Sequence, residues 1–321
     1  MKNFKKTLKF VSIFLILMFL LFNFTTFTNA TYSSSTTDYA TLMDNLYQEE
    51  EDSICYTTMN LETQEETDNV FQASEVATAS EFTSNHTDSY IPEHAAISPS
   101  SIIGGDERFE VSSPSTFPNS TVAYLEAEFP DGTLGIGTAF VWYKDLALTA
   151  GHCIYDSEHG GWATKVTIWP GKKGYGLWNN PYGTAQASQM HISTSFMNNG
   201  TASEDWGLLE LNSDIGNNCG WRGIAYSEDY SGFLNQNVTL PGYPSSHRYY
   251  QHQATGPVKI TSSTKLYYDI DTERGQSGSP IWDSAGYCIG IHVHGTYDGM
   301  PWNSCTNITK SKFEFFKSKM N

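Results

Sequence analysis

Gly275-Gln276-Ser277-Gly278-Ser279-Pro280 surrounds one hydroxyl, that of Ser277, with small residues. Small neighbours let the backbone approach a bound molecule closely, and they leave the amides of Gly275 and Ser277 free to point at one developing oxyanion. A Gly-rich turn by itself means little, and two upstream segments change its weight. In Leu148-Thr149-Ala150-Gly151-His152-Cys153 a histidine follows a strand-like apolar run. Imidazole has an ordinary pKa suited to general-base work near neutral pH. In Glu204-Asp205-Trp206-Gly207-Leu208-Leu209-Glu210-Leu211 an aspartate opens an apolar strand. There it can hold a histidine tautomer and stabilise the imidazolium. Each residue alone has a plainer reading: a structural histidine, a turn aspartate, a glycine turn. In the order His152, Asp205, Ser277 they point together to nucleophilic catalysis by a hydroxyl.

Other chemistries fit less well. The nucleophile elbow of an α/β-hydrolase needs glycine where Ser279 stands, with its acid and histidine downstream of the serine. Both conditions fail. His292-Val293-His294 puts two imidazoles on one face of a strand, a spacing that a metal could use with His247 or His252. No acidic or cysteine neighbour stands at ligand spacing, so no metal is expected on this pair; catalysis by a hydroxyl requires no cofactor, and a structural calcium elsewhere is left open.

Around these segments the chain reads as all-β. Short aromatic or β-branched runs at 122–129, 138–142, 146–149, 166–169, 208–211, 236–240, 265–270 and 287–293 are separated by turn clusters such as Pro130-Asp131-Gly132. Many short strands with regular turns mean a sandwich or barrel. Residues 310–320 alone show helical spacing, with Phe313, Phe316 and Met320 on one face. Asn85, Asn119, Asn199, Asn237 and Asn307 each open a glycosylation sequon.

The amino-terminal third is of another kind. Lys2, Lys5, Lys6 and Lys9 precede an apolar run from Phe10 to Phe22, and Thr28-Asn29-Ala30 follows. Basic start, short apolar middle and small-residue exit predict a signal peptide over 1–30 and secretion to the extracellular space. The run falls short of the roughly 20 residues that span a bilayer, so no membrane attachment is expected after its removal. Residues 31–107 hold no Lys or Arg and many Ser, Thr and acids. Such a composition cannot bury enough apolar area to offset chain entropy. A mostly disordered, acidic pro-segment is expected over 31–101, and a folded unit over 102–321. Without the fourteen acids of 31–100 and the four leader lysines, the net charge of −17 becomes −7. An acidic unit with no basic stripe excludes nucleic acid as a partner.

Cys55 lies in the pro-segment; Cys153, Cys219, Cys288 and Cys305 lie in the folded unit. An even number in an oxidising compartment predicts two disulfides. Three pairings are open; Cys288–Cys305, closing a short loop, is preferred, which leaves Cys153–Cys219 unless Cys153 stays a free, buried thiol.

The blocks Ala150-Gly151-His152-Cys153, Asp205-Trp206-Gly207-Leu208-Leu209 and Gly275-Gln276-Ser277-Gly278-Ser279-Pro280 resemble the three signatures of trypsin-like serine proteases. Ser277-Gly278-Ser279-Pro280 and Gly290-Ile291-His292 are similar to the bacterial glutamyl endopeptidase and exfoliative-toxin group. The opening Ser101-Ile102-Ile103-Gly104-Gly105-Asp106-Glu107-Arg108 resembles the mature start of several members, and the likeness spans about 102–318. The resemblance implies two perpendicular six-stranded β-barrels with a short C-terminal helix and the site between the barrels. It implies His152, Asp205 and Ser277 as triad, and Gly275 and Ser277 amides as oxyanion hole. It further implies a glutamate pocket built on His292, fifteen residues after the nucleophile, and Thr272, five before it. Donors of those two kinds suit a carboxylate. Val293 to Gly295 are expected to pair with the substrate backbone as an added strand. The expected partners are protein or peptide substrates and a protease that removes the pro-segment, and the enzyme is expected to be a monomer. Two rival functions are a catalytically silent homologue acting as a binding module, and an active protease of other specificity. The chain departs from many relatives in having no cysteine near Thr138 to pair with Cys153.

Overall fold

The computed structural model describes residues 53–72, 85–89, 108–295 and 302–320. The leader, the junction at 101/102 and the acidic stretches between lie outside the described residues. In chain order the first strands are β1 (Ser53–Asn60), β2 (Glu65–Gln72), β3 (Phe109–Glu110), β4 (Val122–Glu128), β5 (Leu134–Tyr143) and β6 (Leu146–Thr149). They are followed by β7 (Tyr155–Asp156), β8 (Gly161–Trp162), β9 (Lys165–Pro170), β10 (Ala185–Ser193) and β11 (Gly207–Leu211). The second half supplies β12 (Asn237–Gly242), β13 (His252–Thr261), β14 (Lys265–Tyr268), β15 (Pro280–Trp282), β16 (Cys288–His294) and β17 (Asn303–Asn307).

Hydrogen bonding closes these into two antiparallel barrels of six strands. The first runs β11-β6-β5-β4-β9-β10 and closes through β10–β11; the second runs β12-β15-β16-β17-β14-β13 and closes through β12–β13. Closure pairs most of the edges that an open sheet would present, although β9 meets β10 only at Ala185 and Gln186. The first barrel is filled by large side chains, Leu125, Phe140, Trp142, Leu148 and Leu209 among them, all buried. Val238, Leu240, Val258, Leu266, Tyr268 and Ile281 fill the second.

A C-terminal helix, Lys310–Ser318, seals the first core. Thr309 caps it by accepting the Lys312 amide, and Phe313, Phe315 and Phe316 are buried beneath it. The rings of Phe315 and Phe316 lie 5.5 and 5.4 Å from that of Trp206. Burial of each such ring contributes about 2–3 kcal/mol. The end of the chain thus packs against the segment that carries Asp205.

Within the acidic segment, composition has an exception. β1 and β2 form a hairpin, and β1 adds to the edge of β10 with Tyr56 opposite Ser193 and Asn60 opposite Gln189. One face is apolar or satisfied: Ile54 is buried, Tyr56 lies 4.3 Å from the Phe315 ring, and Thr58 Oγ1 is 2.8 Å from His191 Nδ1, while on the other face buried Thr57 donates to Asp68 Oδ1. Glu65, Glu66 and Asp68 stay on the exposed outer strand.

The expected disulfides are not formed; all five cysteines are free thiols. Register explains Cys288 and Cys305. Cys305 faces His292, four residues along from Cys288, and at about 3.3 Å per residue the two backbones are too far apart for a bridge. Cys153 Sγ lies against the Ser277 carbonyl at 3.6 Å, whereas Cys219 Sγ lies 3.2 Å from the Gly220 carbonyl. Burial pushes the Cys219 and Cys305 thiols up to about 12, which keeps them protonated. One sequon is closed as well: Asn307 is fully buried and its Nδ2 donates to the Ser262 and Ser263 carbonyls.

Candidate active site

Ser277 sits on a loop held from three sides. Its carbonyl accepts the Thr138 amide at 2.8 Å, and the Thr138 hydroxyl donates to the Gly275 carbonyl, also at 2.8 Å. Gly278 N donates to the His292 carbonyl and His292 N to the Ser279 carbonyl, both at 2.8 Å, which stitches the loop to β16. Gly275 and Gly278 take φ of 92° and 88°, and a Cβ on Gly278 would overlap the Thr138 carbonyl. Only glycine meets both demands. The amides of Gln276, Gly278 and Ser279 are all hydrogen-bonded within this network. Those of Gly275 and Ser277 have no backbone partner among the described residues.

His152 follows β6 on a single 3-10 turn, Gly151–Cys153, and Asp205 follows the turn Ala202–Glu204 just before β11. β6 and β11 are paired, with Gly207 opposite Thr149, so the two turns emerge side by side. His152 Nδ1 lies 2.7 Å from Asp205 Oδ2, and the His152 amide donates to Asp205 Oδ1 at 2.9 Å. Asp205 is 1% exposed and His152 38%. Burial opposes both charges, but each group stabilises the other's. The outcome is an Asp205 carboxyl below the usual range and a His152 imidazole well above its own. The carboxylate fixes Nδ1–H, leaving Nε2 as the basic atom.

Cys153, next to His152, touches the Ser277 carbonyl, so histidine turn and serine loop meet across the barrels. Gly137 faces the same thiol: a Cβ there would lie 3.5 Å from the Cys153 Cβ and 2.8 Å from its Sγ.

His292 is 3% exposed, with Nδ1 2.7 Å from the Tyr268 hydroxyl. Burial, then the neighbouring His152 and His294, bring its pKa down to about 3, so it is neutral at physiological pH. Thr272 is half-buried on the strand-to-loop connection before Ser277. Val293 is the extra residue of a bulge, since His292 faces Cys305 and His294 faces Ser304; Gly295 follows, exposed. Sequence reasoning placed His294 in this site only within the backbone segment 293–295, yet its ring lies 6.4 Å from that of His152. Its place two residues beyond His292 was the available signal, masked by the bulge.

Two closed barrels with a partly exposed histidine paired to a buried aspartate, facing a Gly-rich serine loop, define the class of trypsin-like serine peptidases. A family model described as a trypsin-like peptidase domain matches residues 137–291. The chain is 32% identical over 232 residues to a glutamyl endopeptidase of Bacillus licheniformis, covering 70% of each chain. It is 33% identical over 224 residues to a Bacillus subtilis protein named extracellular metalloprotease, covering 68% of this chain and 69% of that one. A solved structure of a Glu endopeptidase in complex with MPD aligns at a TM-score of 0.59 and 24% identity, over 68% of this chain and 98% of that one. At that identity the likeness speaks for the fold. Among the described residues no group of three or more His, Cys, Asp and Glu side chains is placed to share a metal ion. The chain belongs to the trypsin-like peptidases, among the relatives of the glutamyl endopeptidases. It is a serine endopeptidase and acts on protein or peptide substrates.

Proposed function

We propose that the protein is a secreted glutamyl endopeptidase, made as a zymogen and active as a monomer after loss of residues 31–101. The observation that carries the reading is the doubly hydrogen-bonded His152–Asp205 pair beside a serine loop whose backbone is tied to His292. Ser277 Oγ attacks the scissile carbonyl while His152 Nε2 takes its proton. The resulting oxyanion is held by the Gly275 and Ser277 amides. His152 then gives the proton to the leaving amine, and the C–N bond breaks to an acyl-enzyme. Water, activated by the same imidazole, attacks the ester and restores Ser277. Asp205 stays ionised throughout. Neutral His292 and the Thr272 hydroxyl donate to the substrate glutamate, and Val293 to Gly295 pair with its backbone.

No Lys or Arg stands between residues 31 and 107, so a trypsin-like activator is unsuited to the junction. A protease that cuts before apolar residues, at Ile102, fits it, and self-cleavage after Glu93 trims the precursor first. The new amine helps close the pocket around the substrate carboxylate. The test is to profile cleavage of a peptide library by the processed, secreted protein. Glutamate should dominate on the acyl side, with aspartate second. A preference for Arg, Lys or large apolar residues would overturn the pocket assignment.

A further inference from the structure

Arg108 and Glu273 lie 165 residues apart in sequence and 2.9 Å apart in space, Nη1 to Oε2, with side chains 15% and 23% exposed. The same carboxylate accepts the hydroxyls of Ser245 at 2.9 Å and Ser246 at 2.7 Å, and the Ser246 amide. Burial works against its charge, but the bonds from Ser246, Arg108 and Ser245 hold its pKa down to about 2. It is ionised at any working pH.

Its backbone is tied just as closely to the serine loop. Glu273 N donates to Gln276 Oε1 at 3.0 Å, and Gln276 N donates to the Glu273 carbonyl at 3.1 Å. Ser245 N donates to the Arg274 carbonyl at 2.7 Å. At the other end, Arg108 leads directly into β3, which pairs with β13, and Val111 N donates to the Gln251 carbonyl. One ion pair therefore joins three segments: 108–111, 245–246 and 273–276. Gln276, fully buried beside Ser277, carries no charge that could serve in its place.

We propose that Arg108 and Glu273 are positioning residues of the catalytic apparatus, whose ion pair holds the loop that presents the Gly275 and Ser277 amides in its working shape. The inference rests on the assignment of those two amides to the oxyanion. The anchor is internal to the chain, so loop order does not depend on burying a free amino terminus. Removing Arg108 leaves the Glu273 carboxylate with the Ser245 and Ser246 donors alone, and the 273–276 segment shifts to resolvate it. The transition state then loses part of its oxyanion contact while substrate binding is little changed.

The test uses the full secreted chain after processing, with rates expressed per titrated active site. Arg108→Gln and Glu273→Gln should each lower kcat about 10- to 100-fold with KM within about 3-fold of wild type. Arg108→Lys, which keeps the charge, should recover most of the rate. A purely structural role would lower the folded fraction or Tm and leave kcat per site unchanged. If Glu273→Gln does not fold, Arg108→Gln decides on its own, because its side chain lies outside both barrel cores. Wild-type kcat per site in Arg108→Gln, or a loss confined to KM, would overturn the proposal. Ser277→Ala serves as the control: activity there would overturn the triad assignment rather than the ion pair.

Discussion

The two halves of the site are held by different forces. The histidine and aspartate turns sit on β6 and β11, over a core of large apolar side chains: Phe140, Trp142, Leu148, Trp206 and the helix rings Phe315 and Phe316. The serine loop is held chiefly by hydrogen bonds, from Thr138, His292, Ser279, Gln276 and Glu273, with two glycines in left-handed conformations. Apolar packing tolerates little change in volume, whereas a polar network fails when one partner is lost. Substitutions under the first half should therefore register mainly as lost stability, and substitutions in the second mainly as lost rate.

The proposed triad should break this division most sharply. Asp205→Asn keeps the volume and removes the charge that fixes the His152 tautomer, so kcat should fall about 10⁴-fold. The raised His152 pKa sets the lower limit of activity, because the imidazole must be neutral to accept the proton. The acid limb of kcat/KM should accordingly move to lower pH in Asp205→Asn. Steady-state rates from pH 4 to 9 read both effects, and an unmoved limb would remove Asp205 from its role.

Trp206→Ala should show the opposite balance. Trp206 is fully buried against Phe315 and Phe316, and its truncation should cost about 3–5 kcal/mol in denaturant unfolding. A loss under 1 kcal/mol would mean that the helix does not anchor the aspartate turn.

A covalent tie should sharpen the contrast. Gly137→Cys faces Cys153 at bonding distance, so under oxidising conditions it should form a disulfide. Closing a loop of that length stabilises by about 3 kcal/mol in the chain-entropy account. Mass spectrometry and Tm with and without reductant would read it; a free thiol pair would show the Cβ geometry to be wrong.

The smallest effect concerns His292. Its folded pKa, about 3, lies below the ordinary 6.5, so between those values the unfolded chain binds the extra proton. Stability is thus lost as pH falls below 6.5. The contribution amounts to about 2 kcal/mol between pH 7 and 5. In His292→Val the slope of unfolding free energy against pH over that range should be shallower by about 0.7 proton. The same variant should lose about 10²-fold in kcat/KM for glutamate substrates.

Much of this was legible in the residues, and the exceptions share a cause. The strands expected at 122–129, 146–149 and 208–211 appear at Val122–Glu128, Leu146–Thr149 and Gly207–Leu211, and the helix at Lys310–Ser318. Four of the twelve barrel strands left no clear local signal. Ala185–Ser193 is rich in small and polar residues, and His252–Thr261 contains Gly256 and Pro257. Pro280–Trp282 is only three residues long. Asn303–Asn307 reads as a turn, yet all five residues are buried. There the asparagine side chains complete other segments' hydrogen bonds: Asn303 Nδ2 donates to the Ile270 carbonyl and Asn307 Nδ2 to Ser262 and Ser263. Tertiary partners override local propensity at such places. The same holds for the hairpin of β1 and β2, whose acidic outer strand hides an inner face shaped for β10. The proposed triad of His152, Asp205 and Ser277 was legible because small neighbours and apolar strands mark these residues locally. Arg108 and Glu273 were not, since nothing in either neighbourhood names a partner 165 residues away. The disulfides failed for a related reason: counting cysteines gives their parity, but register decides their distance.

The central claim is that Ser277 is activated by His152. The most direct measurement is to treat the secreted, processed protein with a fluorophosphonate and map the adduct by mass spectrometry. The account predicts one modified peptide, carrying the label on Ser277, and almost no label in His152→Ala. Absence of an adduct in the wild type, a label on another serine, or equal labelling of His152→Ala would contradict it.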